Sequence, residues 1–223
     1  SMNSNFNRLG ANSLSIRPAS ESLSSNRQGR DQKKSESITI DQALQFKEKF
    51  KSSGTLVSVD AWCAGNASLK YNNEKTNPTF QIRGIDENYL LTSAFEIEEG
   101  RNFLISETNK VLIGSEVVKM LFGENPKKAL GKEIIVESDR YTVVGVLKQK
   151  GSGSGDNSDK RVYIPLNVAK NKYGYADKNY SISIGVDNPA RIDATIESAI
   201  GVMRNVRDLK PGIDNDFEIR KSD

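Results

Sequence analysis

The stretch of the chain that comes nearest to a chemical motif is VVGVLKQKGSGSGDNSDKRVYIP, residues 143–165. A phosphate-binding loop needs the spacing G-x-x-x-x-G-K-[ST] between a strand and a helix. That spacing is absent here, and a strand is predicted to follow the glycines, so no helix N-terminus would face a phosphate. The centre of the stretch consists of Gly151, Ser152, Gly153, Ser154, Gly155, Asp156 and Asn157.

Two other ligand motifs also fail in this stretch. A dinucleotide fingerprint, G-x-G-x-x-G, would start at Gly151 and Gly153 and would require glycine where Asp156 stands. Asp156, Asn157 and Asp159 resemble part of a calcium loop, but the other spaced ligands and the closing glutamate are missing. The segment is then a linker between domains or the tip of a long hairpin. The flanking strands, rich in Val, Tyr and Ile, favour the hairpin tip, and residues 151–157 are the candidate partner-contact loop.

The residue types that dominate catalysis and metal binding are scarce. The chain has no histidine and one cysteine, Cys63, so it has no imidazole base, no internal disulfide and no Cys-based zinc site. Without a histidine to activate it, Cys63 beside Trp62 fits a small buried hydrophobe better than a nucleophile. The neighbouring Glu98 and Glu99 lack a buried setting that would separate an acid from a base. We therefore expect no catalytic residues, no cofactor and no metal.

Composition narrows the class of protein. A length of 223 residues is enough for one large domain or two small ones, and 36% hydrophobic residues fit a globular chain. The net charge of +3, from 32 basic and 29 acidic residues, gives no nucleic-acid footprint. No apolar run approaches the ~18 residues of a membrane span, so this chain by itself is expected to be soluble. Its polar start, SMNSNFNRLG, contains no secretory signal and fits an excised or mature segment.

Periodicity predicts a β-α-β-β pattern at the N-terminal end. Residues 12–17 alternate as a strand, and the polar segment 19–37 is expected to be a mobile loop. A helix over 40–51 would begin with a capping box between Thr39 and Gln42. The following strands are predicted at 55–73, as one long or two shorter strands, and at 79–86.

The middle of the chain predicts short strands around one helix, and the C-terminal end returns to β-α-β. In the middle, Ser115 would cap a short helix that Gly123 closes. Near the end, Asn188 would cap the strongest helix, with Pro189 at its first position. The strands are predicted within 95–103, 110–114, 131–150 (two strands with a turn at ESDR), 160–166, 180–186 and 216–220, and the helices within 115–123 and 189–208.

The two ends of the chain are expected to share one sheet. The first strand, SLSIR, and the last, DFEIR, both belong to β-α-β segments, so they can be neighbours. The helices 40–51 and 189–208 would cover one face of that sheet. The side chains expected to face the sheet are Phe46, Phe50, Ile196, Ile200 and Met203.

Seven segments, in order along nearly all of the chain, resemble the periplasmic core domain of MacB-type ABC transporter permeases. No single motif is specific, but the ordered set is. FNRLGANSLSIRP is similar to the segment after the first membrane helix of that family, FEIEEGRNF to its G-R-x-F element, and ALGKEIIVESDRYTVVGVL to its l-G-k…V-V-G-V hairpin. The other matching segments are FQIRGIDENYL, NKVLIGSEVVKMLFG, VYIPLNVA and SISIGVDNPARIDATIESAIGVMR.

The resemblance implies an α+β fold of two parts. The β-α-β halves from the two chain ends, residues 10–86 and 178–221, would pair into one porter-like subdomain. Residues 87–177 would form a smaller inserted α/β subdomain. A full permease of this MacB/FtsX-like family would have four membrane helices, with this domain between the first and the second.

The resemblance also implies a non-catalytic, extracytoplasmic role in a bacterial inner-membrane transporter. A separate cytoplasmic ATP-binding domain or subunit would hydrolyse ATP, and this domain would couple that hydrolysis mechanically to export or to periplasmic events. Its partners would be that ATP-binding subunit, a periplasmic adaptor protein and a second permease protomer, with no nucleic acid. The alternative is a stand-alone extracytoplasmic binding module, and an enzyme such as a small hydrolase would need a catalytic site built without histidine. No residue identifies a transported substrate.

Overall fold

A computed structural model describes residues 9–20, 35–151 and 157–222 as a mixed α/β fold. Within this part of the chain, no helix is long and apolar enough to cross a membrane. The strands are Ser13–Pro18 (β1), Thr55–Ala67 (β2), Leu69–Tyr71 (β3), Glu74–Lys75 (β4), Phe80–Ile85 (β5), Ile97–Gly100 (β6), Lys110–Ile113 (β7), Glu133–Val136 (β8), Asp139–Leu147 (β9), Arg161–Pro165 (β10), Ser181–Val186 (β11) and Phe217–Lys221 (β12). The principal helices are Ile40–Lys49 (α1), Tyr89–Thr92 (α2), Ser115–Phe122 (α3), Leu166–Tyr173 (α4) and Ile192–Val206 (α5).

The chain divides into two compact units. The terminal unit comprises Ser1–Val59 and Tyr175–Asp223, and the inserted unit comprises Asp60–Gly174. The predicted α+β class, with strands from both chain ends in one sheet, is confirmed. The predicted boundary after residue 86 lies inside the inserted unit, because β5 pairs with β10 and with the second half of β2.

The sheet of the terminal unit has β1 at its centre. β1 is antiparallel to both of its neighbours, with Ile16 opposite Ile182 on β11 and opposite Ile219 on β12. The first half of β2 follows β11 in the strand order. The expectation that the first and last strands are neighbours is therefore confirmed. Leu14 and Ile16, two residues apart and therefore on the same face of the sheet, are fully buried.

Helix α1 begins as the sequence predicts. The amide of Gln42 donates to the Thr39 hydroxyl at 3.1 Å, and the Thr39 amide donates to the Gln42 side chain at 3.3 Å. The helix ends at Lys49, before the predicted residue 51. Gly54, between α1 and β2, takes a positive φ of 72° against the Asp187 carboxylate, where a Cβ would clash. Most of the predicted mobile loop before α1, residues 21–34, lies outside the described residues.

Helix α5 packs on a face slightly rotated from the predicted one. Asn188 caps the first turn by accepting from the Ala190 amide, and the α-helix proper begins three residues after Pro189. The predicted residues Ile196 and Ile200 lie half-buried at the edge of the interface, whereas Met203 is fully buried as predicted. The buried stripe consists of Ile192, Thr195, Ala199 and Met203.

A buried arginine holds the elements of the terminal unit together. Arg207, at the end of α5, has a side chain only 3% exposed. Its guanidinium donates to the carbonyls of Glu36 and Ser37, both at 2.9 Å, and to the Gln42 side chain at 3.0 Å. It also forms an ion pair with Asp216, just before β12, at 3.0 Å. The start of α1, the end of α5 and the start of β12 are thus fixed to one another.

The inserted unit is a mixed sheet with a core on each face. The strand order is β2-β5-β10-β7-β9-β8-β3-β4, with β2 contributing its second half and β6 pairing with β9. Alternate residues of one strand enter different cores: Val162 and Ile164 pack with α3 and α4, and Tyr163 packs with α2. Helix α4 was not predicted, because its eight residues include few large apolar side chains.

For helix α3, the residue predicted to cap its start is wrong and the residue predicted to end it is confirmed. Ser115 is the first residue of the helix, and Gly114 is the N-cap, so the prediction that Ser115 caps the helix is wrong. A side chain at residue 114 would collide with the carbonyl of Asp159, which explains why glycine precedes the helix. Gly123 ends α3 with a positive φ of 84°, as predicted.

We expect Met203→Ala to lower the free energy of unfolding by about 2–5 kcal/mol, because it leaves a cavity at a fully buried position. Ile200→Ala, three residues earlier on the same helix, is the matched control and should cost about 1–2 kcal/mol, because its side chain is already half-exposed. Urea unfolding of both variants measures the difference. Equal losses would show that α5 does not pack on the stripe described above.

Candidate interaction site

The glycine-serine segment does not form the predicted hairpin tip. Of the candidate partner-contact residues, Gly151 and Asn157 are described, whereas Ser152, Gly153, Ser154, Gly155 and Asp156 lie outside the described residues. β9 and β10 are not paired, because β7 lies between them, parallel to β9 and antiparallel to β10. The segment therefore connects two strands that are not paired with each other, and the hairpin interpretation is wrong.

One carboxylate fixes the base of this connection. Asp159 accepts from the Lys150 amide at 2.9 Å through one oxygen and from the Gly151 amide at 3.0 Å through the other. Hydrogen bonds from amides to a carboxylate are stronger than those to a neutral acceptor. The two described ends of the segment, at Gly151 and at the 3-10 turn Ser158–Lys160, are thus held together.

The connection is also attached to an aromatic cluster. The Lys150 ammonium lies 4.3 Å from the centre of the Phe95 ring and donates to the Ser93 carbonyl at 2.9 Å. Phe95 packs against Tyr163 and Tyr89, with ring centres 5.8 and 6.0 Å away. The base of the segment is therefore supported by Tyr89 of α2, by Tyr163 of β10 and by Phe95 between α2 and β6.

This arrangement is suited to positioning a loop and not to catalysing a reaction. Both oxygens of Asp159 are already occupied by backbone amides, which argues against a calcium-binding role for this carboxylate. Among the described residues, no group of three His, Cys, Asp or Glu side chains is placed to hold a metal ion. Cys63 is half-buried and its thiol donates to the Ala61 carbonyl at 3.6 Å.

A second polar feature of the inserted unit is a buried ion pair between Asp60 and Arg83. Asp60 on β2 is 3% exposed and accepts a short hydrogen bond from Arg83 on β5. Burial raises the pKa of Asp60 to about 6, a rise that the neighbouring Asp86 carboxylate reinforces and that the Arg83 charge opposes. The Arg83 guanidinium also lies 5.8 Å from the centre of the half-exposed Trp62 ring.

Sequence reasoning missed these two features for different reasons. Asp159 follows the glycine segment by only a few residues, but its partners are backbone amides, which have no signature in sequence. Asp60 and Arg83 did carry a signal, because each is the only charged residue of its strand. Two such charges of opposite sign on consecutive predicted strands indicate a buried pair.

The chain matches the family model of the MacB-like periplasmic core domain over residues 1–201. It belongs to that family. The family is the periplasmic domain of ABC transporter permeases and is not itself a catalytic fold, so the chain is an extracytoplasmic permease domain. The resemblance inferred from the ordered motifs is confirmed.

Solved structures and curated relatives agree with this assignment. The periplasmic region of MacB from Actinobacillus actinomycetemcomitans shares the fold with a TM-score of 0.68 at 20% identity, covering 97% of this chain and 92% of that one. The extracellular domain of the noncanonic ABC-type transporter YknZ from Gram-positive bacteria gives a TM-score of 0.63 at 20% identity, covering 94% and 100%. The pyoverdine export ATP-binding/permease protein PvdT of Pseudomonas savastanoi pv. phaseolicola is 31% identical over 122 residues, covering 52% of this chain and 18% of that protein. The chain spans less than a third of the length of such curated relatives.

We expect Asp159→Asn to loosen the base of the glycine-serine segment. The side-chain amide of asparagine accepts through one oxygen only, so one of the two backbone N–H groups loses its partner. A loss of ~1.5 kcal/mol corresponds to about tenfold faster hydrogen exchange at Lys150 and Gly151. Hydrogen exchange followed by mass spectrometry measures this. Asp177→Asn, at an exposed carboxylate in the terminal unit, is the control and should leave exchange in this segment unchanged.

Asp60 should make the stability of the domain depend on pH. Its pKa is about 6 in the folded chain against 3.8 in the unfolded chain, so the folded chain binds this proton more tightly. The resulting stabilisation is fully present below about pH 4 and is lost as pH rises through 6, a change of about 3 kcal/mol. Urea unfolding of the wild type and of Asp60→Asn between pH 4 and 7 isolates the effect. The difference between the two proteins should change over that range, and a constant difference would contradict the assignment.

Proposed function

We propose that this domain couples ATP hydrolysis, carried out by a separate cytoplasmic ATP-binding domain or subunit, to export or to other events outside an inner membrane. The proposal draws on the family match and on relatives whose names describe export ATP-binding/permease proteins. The described residues contribute a folded scaffold with a supported loop. The domain acts mechanically, and the bond chemistry takes place elsewhere in the transporter.

The observation that carries the proposal is the pairing of the first and last strands. β1 and β12 are antiparallel, with Leu14 opposite Lys221, and the Ser222 amide donates to the Ser13 carbonyl at 2.9 Å. The chain therefore enters and leaves the terminal unit at one place. Two membrane helices attached there would emerge side by side, and a displacement of one would be transmitted through the ladder of backbone hydrogen bonds to the other.

The stiffness of the terminal unit supports such a relay. Arg207 fixes the start of β12 to helices α1 and α5, so a force on β12 acts on the unit as a whole. Interiors packed and hydrogen-bonded in this way transmit strain instead of absorbing it.

The glycine-serine segment 151–157 is our candidate contact for a periplasmic adaptor protein. Its base is fixed by Asp159 and supported by Lys150 against Phe95, which leaves the segment between Gly151 and Asn157 to meet a partner. A second permease protomer completes the proposed assembly. The same proposal includes a functional division predicted from the family, with a porter-like part over 10–86 and 178–221 and an inserted part over 87–177, which differs from the two compact units of the fold.

Lengthening the exit of the domain should abolish export in the full-length permease. Six glycines inserted after Ser222 would separate β12 from the chain that follows it, and a flexible linker transmits no push. Mass spectrometry of the culture medium first identifies the compounds that disappear when the gene is deleted. The same compounds should then be missing from the medium of the insertion strain.

An equal insertion between Glu137 and Ser138 is the control, because this exposed turn joins β8 and β9 and contains no residue of the connections described above. It should leave export intact. Wild-type export by the strain with the insertion after Ser222 would contradict mechanical coupling. Release of the tagged native protein by osmotic shock, without any membrane-bound fraction, would favour a stand-alone binding module instead.

A further inference from the structure

The inserted unit contains a pocket with an apolar floor and a basic rim. It opens beside the end of α3 and has a volume of about 530 Å³. We call it the lysine-rimmed pocket. The floor consists of Tyr71, Leu121, Phe122 and Leu130, and the rim consists of Lys127, Lys128 and Lys132.

The floor is built on ordered elements. The rings of Tyr71 on β3 and Phe122 on α3 are 4.5 Å apart, centre to centre, and both pack on the core below them. The 3-10 turn Pro126–Ala129 carries two of the rim lysines and is anchored by Ala129, which is fully buried. The pocket therefore exists before any partner binds, which reduces the entropy lost on binding.

The rim carries positive charges that have no ion-pair partner among the described residues. Lys127, Lys128 and Lys132 are exposed, and none of them takes part in an ion pair among the described residues. Glu133, the carboxylate next to Lys132 in sequence, is already paired with Arg140 at 2.9 Å.

We propose that the lysine-rimmed pocket binds an acidic segment of a partner polypeptide, which inserts an apolar side chain between flanking carboxylates. Three free lysines within six positions of the sequence select an anionic partner by charge complementarity. The apolar floor then selects a carboxylate-bearing segment that also carries a large aliphatic or aromatic residue, since such a side chain gains most from leaving water.

The shape of the pocket distinguishes a polypeptide from other anionic ligands. A membrane surface takes up apolar residues that protrude, whereas the apolar residues of this floor are buried or half-buried. A small molecule is usually enclosed on most of its surface, whereas all three rim residues here are exposed. An extended or helical segment that crosses an open pocket and contributes one side chain fits both facts.

The binding site does not depend on the proposed transport role. A stand-alone module with this pocket would bind the same kind of segment. Failure of the export experiment above would leave the pocket untouched, and failure of the binding experiment below would leave the coupling proposal untouched.

The test selects peptides from a random 12-residue display library on the 223-residue chain and measures their affinities by fluorescence anisotropy. The pocket variant is Lys127→Glu/Lys128→Glu/Lys132→Glu. The control is Lys51→Glu/Lys210→Glu/Lys221→Glu, which makes the same change in net charge at exposed lysines of the terminal unit. Circular dichroism of both variants verifies that they fold.

We expect the selected peptides to place at least two Asp or Glu residues close to one large apolar residue. Their affinity should fall at least tenfold for the pocket variant and less than twofold for the control. Equal losses in both variants would reduce the effect to net charge and overturn the proposal. So would a selection that yields no peptide sensitive to the pocket variant. Binding to phosphatidylglycerol vesicles that is lost in the pocket variant, in the absence of any such peptide, would identify a membrane as the occupant and likewise overturn it.

Discussion

The terminal unit depends on the burial of one positive charge. The guanidinium of Arg207 is almost completely removed from water, and a charge in that position is tolerated only if its donors are satisfied and an opposite charge is near. Segments far apart in sequence meet that requirement, through acceptor groups on Glu36, Ser37, Gln42 and Asp216. Loss of any one element would leave this charge under-satisfied, so the helices and the edge strand β12 are constrained to be present together.

The inserted unit also contains a buried ion pair, but there the negative partner bears the larger cost of burial. Burial disfavours the charged carboxylate of Asp60, and Arg83 offsets only part of that cost. Elsewhere in this unit, charged groups sit at the ends of strands and hold connections in place, as Asp159 and Lys150 do. Apolar packing on both faces of the sheet supplies the stability, and these few polar contacts determine where the loops lie.

Features governed by neighbours in sequence were predictable, and those governed by strand order were not. The capping box of α1 and the cap at Asn188 involve residues two or three positions apart, so their signatures survive in sequence. The glycine-serine segment looked like a hairpin tip because the alternating pattern of β9 and β10 does not reveal that β7 lies between them. Ser115 looked like a cap for a similar reason, since only the distant Asp159 carbonyl explains why Gly114 takes that place. The candidate loop could be predicted from composition, whereas the Asp159 hydrogen bonds at its base and the lysine-rimmed pocket required the tertiary structure.

The position of Trp62 has a practical consequence. It is the only tryptophan of the chain, it is 45% exposed, and its ring lies over Gly65, where a Cβ would stand within 2.9 Å. The Arg83 guanidinium lies 5.8 Å from the centre of the ring. The intrinsic emission of the domain, excited at the red edge of the indole band, therefore comes from one site on β2, the strand that contributes residues to both units. The native chain thus contains its own optical probe of that strand, and no label has to be introduced to observe it.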